Sequence, residues 1–350
     1  MSSGTIILFL VSFFGSVSIT AFARAYALHV NLLDMPNQRS SHDVATPRGG
    51  GIGIVVVFLG VVLTLWTLGE MERNDAVAFL LGGGLVAGIG FIDDHSDVSA
   101  KWRILVQIVA ATLAVILLGG LPEFQVRHVI VDLGIPGDFL AVIFMVWFTN
   151  AFNFMDGIDG IAASETICIA GGAFLITQSA DGGPAAILLG CLAMASVGFL
   201  VWNWPPARIF MGDVGSAFLG FVLIALAIYE TGSDTASIWT WLILGGVFIV
   251  DPTVTLITRM LRREKWLSAH RDHAYQKITR RVGSHRRVTI GVIATNVIWL
   301  FPVAYVAQSM PENGWWLTGI AWGPLLGLSL WVGAGQPEQA SAESFDHDGD

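Results

Sequence analysis

Eleven apolar runs, each about as long as a bilayer is thick, set the architecture open to this chain. A spanning helix needs about 20 mostly apolar residues. Runs of that kind cover roughly 4–28, 49–69, 75–92, 102–120, 138–154, 158–178, 184–202, 214–230, 237–258, 288–308 and 315–334. Of the 350 residues, 54% are hydrophobic and only 13% charged, against roughly 25% charged in a soluble globular chain. A water-soluble fold of this length cannot cover that much apolar surface. Disorder and a disulfide scaffold are excluded with it. Cys168 and Cys191 both fall inside apolar runs and read as core residues. The expected fold is an all-α polytopic integral membrane protein with about eleven transmembrane helices.

The placement of charge then orients the bundle. Arg24 follows the first apolar run instead of preceding it, which suits an uncleaved first helix with its N-terminus extracytoplasmic. With that orientation the cytoplasmic side receives Arg24, Arg39, Arg48, Lys101, Arg103, Arg208 and ten basic residues between Arg259 and Arg287. Only Arg73 and Arg127 remain outside, so sixteen of the 18 Lys and Arg residues obey the positive-inside rule. The C-terminus is then cytoplasmic, and its acidic segment 336–350 reads as a disordered tail. Outside, Gln125 to Val131 has the pattern of a small hairpin. The formal net charge of −9 argues against nucleic acid as a partner; the partner that the composition does require is the lipid bilayer. Residues 1–335 read as one transmembrane catalytic domain with cytoplasmic loops at 34–48, 93–101, 150–160, 203–213 and 259–287.

The chemistry-bearing residues collect in those loops. Asp93, Asp94 and Asp97 (FIDDHSD) end the third run, and Asn150, Asn153, Asp156 and Asp159 (NAFNFMDGIDG) end the fifth. Asp213 (IFMGDVGS) follows the seventh, His270, Arg271 and His273 (SAHRDHAYQK) follow the ninth, and Arg39 to Gly51 (RSSHDVATPRGGG) follows the first. All five clusters fall on one face, which favours one shared site. Adjacent carboxylates beside Gly90-Phe91-Ile92 repel and are costly to desolvate, a penalty that a divalent cation or an ammonium partner removes. Oxygen donors without a Cys-His pattern suit Mg²⁺ or Mn²⁺ better than zinc. Mg²⁺ held by one or two carboxylates takes its remaining ligands from water and substrate phosphate, whose oxygens Lys101, Arg103 and Arg271 would neutralise. If residues 153–159 are helical, Asn153, Asp156 and Asp159 lie on one stripe. Gly49-Gly50-Gly51 is either a close approach to phosphate or a packing and loop feature. The arginines of 259–287 suit anionic headgroups, whereas the mixed His-Arg-Asp-His cluster suits a diphosphate.

Taken in order from about Asp34 to Tyr275, these motifs closely resemble the polyprenyl-phosphate N-acetylhexosamine-1-phosphate transferases. That superfamily includes the enzymes starting enterobacterial common antigen, O-antigen and, more distantly, peptidoglycan lipid I. PNQRSSH…TPRGGG resembles the O-antigen initiating branch in particular. The resemblance implies transfer of a sugar-1-phosphate from a UDP-N-acetylhexosamine (GlcNAc, or a FucNAc or QuiNAc type) to undecaprenyl phosphate, with release of UMP. It implies a requirement for Mg²⁺, with Mn²⁺ as a substitute, and a place in the bacterial inner membrane with the site facing the cytoplasm. Carried over residue by residue, it assigns the metal to Asp213 and Asp156. Catalysis falls to Asp93, Asp94, Asp156, Asp159, His270 and His273, and substrate binding to Arg39, Arg48, Lys101, Asn153 and Arg271. The family's histidine triplet stands here only as His270-Arg271-Asp272-His273. A homodimer is compatible with the sequence, which carries no signal for or against one.

Two other readings compete. An ion-coupled transporter also uses intramembrane carboxylates, but it predicts charges near span centres and commonly repeated halves; here the acids sit at span ends and no repeat is visible. The nearer rival is the phospho-N-acetylmuramoyl-pentapeptide transferase of peptidoglycan synthesis, which matches the RSSH and AHRDH signatures less well.

Overall fold

A computed structural model describes residues 2–35, 44–177, 183–264 and 271–337. Arg39, His270 and the tail beyond residue 337 lie outside the described residues. Each of the eleven apolar runs is helical. The first seven are α1 (Ser3–His29), α2 (Ile52–Thr67), α3 (Arg73–His95), α4 (Ala100–Leu117), α5 (Gly134–Met155), α6 (Ile161–Thr177) and α7 (Gly183–Asn203). There follow α8 (Asp213–Gly232) and the pair α9 (Ile238–Leu244) and α10 (Gly246–Leu261), then the amphipathic α11 (Ala274–Val282), then α12 (His285–Ser309) and α13 (Pro311–Val332). Among the described residues eight helices are long and apolar enough to cross a membrane, or nine with the bent pair α9–α10. The other two expected spans, α2 and α6, are shorter apolar helices of 16 and 17 residues. This is an all-α, multi-pass membrane protein.

Lipid offers helices little hydrophobic reason to associate, so close packing through small residues must do it. α1 and α7 follow that rule: Gly190 lies against the ring of Phe9, and Gly198 faces the Phe13 carbonyl. In α3, Gly82 packs on Phe221 and Gly83 on Phe218, as expected for packing glycines, while Gly84 and Gly88 face open space. α8 runs through the middle of the bundle, buried along most of its length from Val214 to Thr231. The bend of 72° between α9 and α10 falls at Gly245.

Two short antiparallel pairs flank the bundle. β1 (Leu33–Asp34) pairs with β2 (Thr46–Pro47), and Arg48 directly follows β2. β3 (Phe124–Val126) pairs with β4 (Val129–Val131), the hairpin foreseen in the sequence. At the other end of the chain, Lys277 of α11 donates from Nζ to the carbonyls of Gly333 and Gln336, both at 2.6 Å. Gln336, the first residue assigned to the tail, is therefore held in place.

Candidate active site

A cavity of about 340 Å³ opens at one end of the bundle. Its wall draws on Asp34, Arg48, Asp94, Asn153, Asp156, Asp159, Asp213, Arg271, Gln276 and Arg280, among others. All five predicted loops thus meet here, the last through Arg271 and α11, and carboxylates and guanidinium groups share one space.

The floor is assembled around the start of α8. Asp94, at the end of α3, is 3% exposed. Its Oδ1 accepts the Asp213 N–H at 3.0 Å and its Oδ2 the Val214 N–H at 3.1 Å. A buried carboxylate is thereby spent on the orphan N–H groups of a helix N-terminus, where the helix dipole also favours it. The approach needs glycine on both sides. Gly212 has φ +76°, and a Cβ there would stand 2.5 Å from Asp94 Oδ2. A Cβ on Gly90 would stand 2.5 Å from the Asp213 carbonyl oxygen. Asp94, expected at the reaction, is built as the anchor of the Asp213 segment.

Its neighbour points elsewhere. Asp93 Oδ1 accepts the Val98 N–H at 2.8 Å, and Oδ2 lies 2.5 Å from Arg103 Nη1. The same Nη1 donates to Asp213 Oδ2 at 2.9 Å. The cation on this carboxylate pair is therefore Arg103; Lys101, assigned to substrate, is exposed and off the cavity wall. The backbone N–H groups of Gly50 and Gly51 donate to the Phe210 and Met211 carbonyls, each at 2.9 Å. The triple glycine is a packing seam against the Asp213 loop, with those two N–H groups already occupied.

Helix α5 stops at Met155, and Asp156 is its cap with ψ 46°. Asn153, Asp156 and Asp159 do not form a helical stripe, yet all three reach the cavity because the chain turns at Gly157 and Gly160. Asp156 is partly exposed to the cavity, and no hydrogen bond or ion pair joins its carboxylate to another described residue. Burial pushes this carboxyl well above the usual carboxylate range, and the like charges of Asp213, Asp159 and Asp94 push it further. Asp159 is the opposite case. Its Oδ2 accepts the Ala207 N–H at 3.0 Å, and its Oδ1 lies 3.3 Å from His285 Nδ1.

The remaining wall comes from α11, placed by an aspartate that sequence reading passed over. Asp251 of α10 accepts the N–H groups of Ala274 at 2.8 Å and Tyr275 at 3.0 Å, capping α11 as Asp94 caps α8. His273 lies 3.5 Å from Asp251, is 3% exposed and is off the cavity wall. It anchors α11, while Arg271, Gln276, Thr279 and Arg280 face the cavity. The opposite cation is Arg48, whose Nε is buried without a partner among the described residues. Asp251, His285 and Arg280 were not foreseen. Asp251 sits inside an apolar run as a lone acid, which is the signal that could have found it.

Among the described residues, no three His, Cys, Asp or Glu side chains converge as a metal cage. What the site provides is a strip of oxygen donors under guanidinium groups, suited to a polyanion bound at a membrane surface. The fold and this cavity together define a polytopic membrane protein with a polar, charge-lined site at an end of its helix bundle. Residues 76–231 match the family described as Glycosyl transferase family 4. A Bacillus subtilis protein named "Probable undecaprenyl-phosphate N-acetylglucosaminyl 1-phosphate transferase" is 32% identical over 288 residues, covering 80% of this chain and 79% of the relative. The decaprenyl-phosphate N-acetylglucosaminephosphotransferase of Mycobacterium tuberculosis is 30% identical, covering 83% and 80%. A phospho-N-acetylmuramoyl-pentapeptide-transferase of Synechococcus is 33% identical over a shorter stretch, 61% and 60%. The chain belongs to glycosyl transferase family 4, the polyprenyl-phosphate sugar-1-phosphate transferases.

Proposed function

We propose that this protein transfers N-acetylglucosamine-1-phosphate, or the sugar-1-phosphate of a related FucNAc or QuiNAc type, from a UDP-sugar to undecaprenyl phosphate. The reaction would run on the cytoplasmic face of the bacterial inner membrane and start O-antigen or another envelope polysaccharide. The observation that carries this reading is the cavity itself, with Asp156 and Asp213 on its floor and Arg48, Arg271 and Arg280 on its wall. The relatives named for GlcNAc transfer cover more of the chain than the pentapeptide transferase does, which favours the smaller sugar.

The acceptor phosphate is already nucleophilic, so the site has to position it and neutralise charge more than supply a strong base. An acceptor oxygen attacks the phosphorus that bears the sugar. The bond from that phosphorus to the bridging oxygen breaks, and the electron pair leaves with UMP. Arg48, Arg271 and Arg280 hold the diphosphate oxygens. Arg103 keeps Asp213 aligned beside Asp93. Direct attack is supported by the state of the paired aspartates: both Asp94 oxygens accept backbone N–H groups, and Asp93 is bound to Val98 and Arg103.

The donor set fits Mg²⁺. Asp156 is a carboxylate with no cation against it among the described residues, raised in pKa by burial and by three like charges, Asp213 among them. Mg²⁺ needs only one or two such carboxylates where phosphate completes the shell, so Asp156 and Asp213 would hold it. When bound, the ion supplies charge neutralisation at the diphosphate and at departing UMP.

The test is UMP release by purified protein given Mg²⁺, undecaprenyl phosphate and a panel of UDP-N-acetylhexosamines that includes UDP-MurNAc-pentapeptide. Release that needs both lipid and metal is expected, with UDP-GlcNAc or a 6-deoxy relative the best donor. Turnover of the pentapeptide donor alone would replace the sugar assignment, and silence of folded protein across the panel would overturn the reaction.

A further inference from the structure

The start of α12 reaches three of the four polar atoms of Asp159. His285 Nδ1 stands 3.3 Å from Asp159 Oδ1 and 3.4 Å from the Asp159 backbone nitrogen. One turn later on the same helix face, Thr289 Oγ1 donates to the Asp159 carbonyl at 2.9 Å. The last oxygen, Oδ2, accepts from Ala207 N–H in the loop that leads to Asp213. The His285 ring is well buried, with 17% of its side chain exposed, and it is off the cavity wall.

Three separate segments are therefore locked at one residue. The turn 156–160 carries Asp156, the loop 203–212 leads into Asp213 at the start of α8, and α12 continues from α11 across Gly283, which adopts the left-handed conformation at φ +66°. α11 presents Gln276, Thr279 and Arg280 to the cavity. Tyr275 of α11 also donates to the Phe154 carbonyl at 2.9 Å, so the link through α12 is a second tie between the carboxylate floor and the arginine wall.

We infer that His285 is a positioning residue for the transfer reaction, acting through Asp159 to hold the floor carrying Asp156 and Asp213 in register with the donor-facing wall of α11. The inference rests on the reaction proposed above. His285 touches neither the cavity nor a reacting atom. Its effect is on where Asp156 sits, and a shift of about 1 Å at a reacting centre can cost on the order of 10²-fold in rate.

The choice of side chain makes the test specific. Asparagine places an amide atom near the position of histidine Nδ1, whereas glutamine places its amide nearer Nε2. His285→Asn should therefore retain most of the activity. His285→Ala and His285→Gln should each lose kcat, on the order of 10-fold to 10²-fold, with little change in donor KM and a higher Mg²⁺ requirement. In an Asp159→Asn background, His285→Ala should add less loss than it causes alone, because the side-chain half of the link is already gone while the backbone N–H contact remains. Equal activity in all three histidine variants would overturn the inference, as would a loss that adds fully to that of Asp159→Asn. So would a fall in thermal midpoint with kcat unchanged. A second readout is independent of turnover: in protein labelled with ¹⁵N-histidine, the His285 Nδ1 signal, identified by its absence from His285→Asn, should move in Asp159→Asn. An unmoved signal refutes the link. Silent wild-type protein in the assay would count against the reaction, and the ¹⁵N shift would still decide the link.

Discussion

Arg103 Nη1 lies 2.9 Å from Asp213 Oδ2, across 110 residues of sequence, and the same nitrogen holds Asp93. A single guanidinium nitrogen thus bridges two carboxylates that also lie within hydrogen-bond reach of each other. Removing one member of such a set leaves the others poorly compensated.

Arg103→Ala should lower kcat/KM by roughly 10-fold or more, as expected for loss of a charge-assisted hydrogen bond at about 1.5–3 kcal/mol. Arg103→Lys should recover part of it, since lysine keeps the charge without the fork. Steady-state kinetics on the two variants decides the matter; equal rates in Ala and Lys would show that the charge itself is dispensable.

Asp94 and Gly212 form one structural unit, so their substitutions should act on stability. Asp94→Ala leaves the Asp213 and Val214 N–H groups without their acceptor and should cost about 1–2 kcal/mol, in the range of a lost helix cap. Gly212→Ala adds a backbone penalty of about 1–3 kcal/mol, because φ 76° with ψ 167° is a conformation essentially confined to glycine, to a Cβ contact with Asp94. Gly49→Ala, also at positive φ but facing open space, should pay only the conformational part. Thermal unfolding in detergent compares the three, and Gly212→Ala as mild as Gly49→Ala would refute the close approach.

For Asp156 the sign can be worked out. Its folded pKa is raised above the unfolded value, so the metal-free protein binds this proton more readily than the unfolded chain does. Stability contributed by the neutral form is present at low pH and is lost as pH rises through the folded pKa. Mg²⁺ needs the ionised form and therefore binds more tightly as pH rises over the same window. Asp156→Asn should stabilise the metal-free protein and remove the pH dependence of Mg²⁺ half-saturation. Thermal midpoints measured against pH, with Mg²⁺ and with EDTA, would show both effects or neither.

Asp213→Asn should abolish Mg²⁺-dependent turnover and the rise of thermal midpoint with Mg²⁺, while membrane insertion remains normal. Chelation of wild-type protein should reproduce the first loss, and added Mg²⁺ should reverse it. Normal activity in the variant would remove Asp213 from the metal site.

Several features were open to reading without coordinates because they are local. An apolar run of about 20 residues becomes a helix in lipid because every backbone polar group must be satisfied within its own segment. Thus all eleven runs are helical, and the hairpin at 124–131 follows from its short alternating strands. The gathering of polar motifs at span ends also foretold one shared cavity, which Asp94, Asn153, Asp156, Asp159, Asp213, Arg48 and Arg271 do line. Spacing left the geometry of 153–159 open between a helical stripe and a bend, and the structure ends the helix at Met155 with Asp156 as its cap.

Sequence by itself determined the multi-pass helical bundle, the family and the pool of charged residues available to its site. Tertiary structure alone decided how that pool is divided. Asp93 and Asp94 are adjacent and chemically alike, yet one binds Arg103 and the other caps α8, 119 residues away. Asp156 faces the cavity with its carboxylate unpaired among the described residues, while Asp159 is tied to His285 and Ala207. Asp251 and His273 serve α11 from beneath the site. The reason is physical: partition into lipid depends on the composition of each segment, whereas a carboxylate's role depends on which donors reach it. Those donors come from segments that only packing brings together.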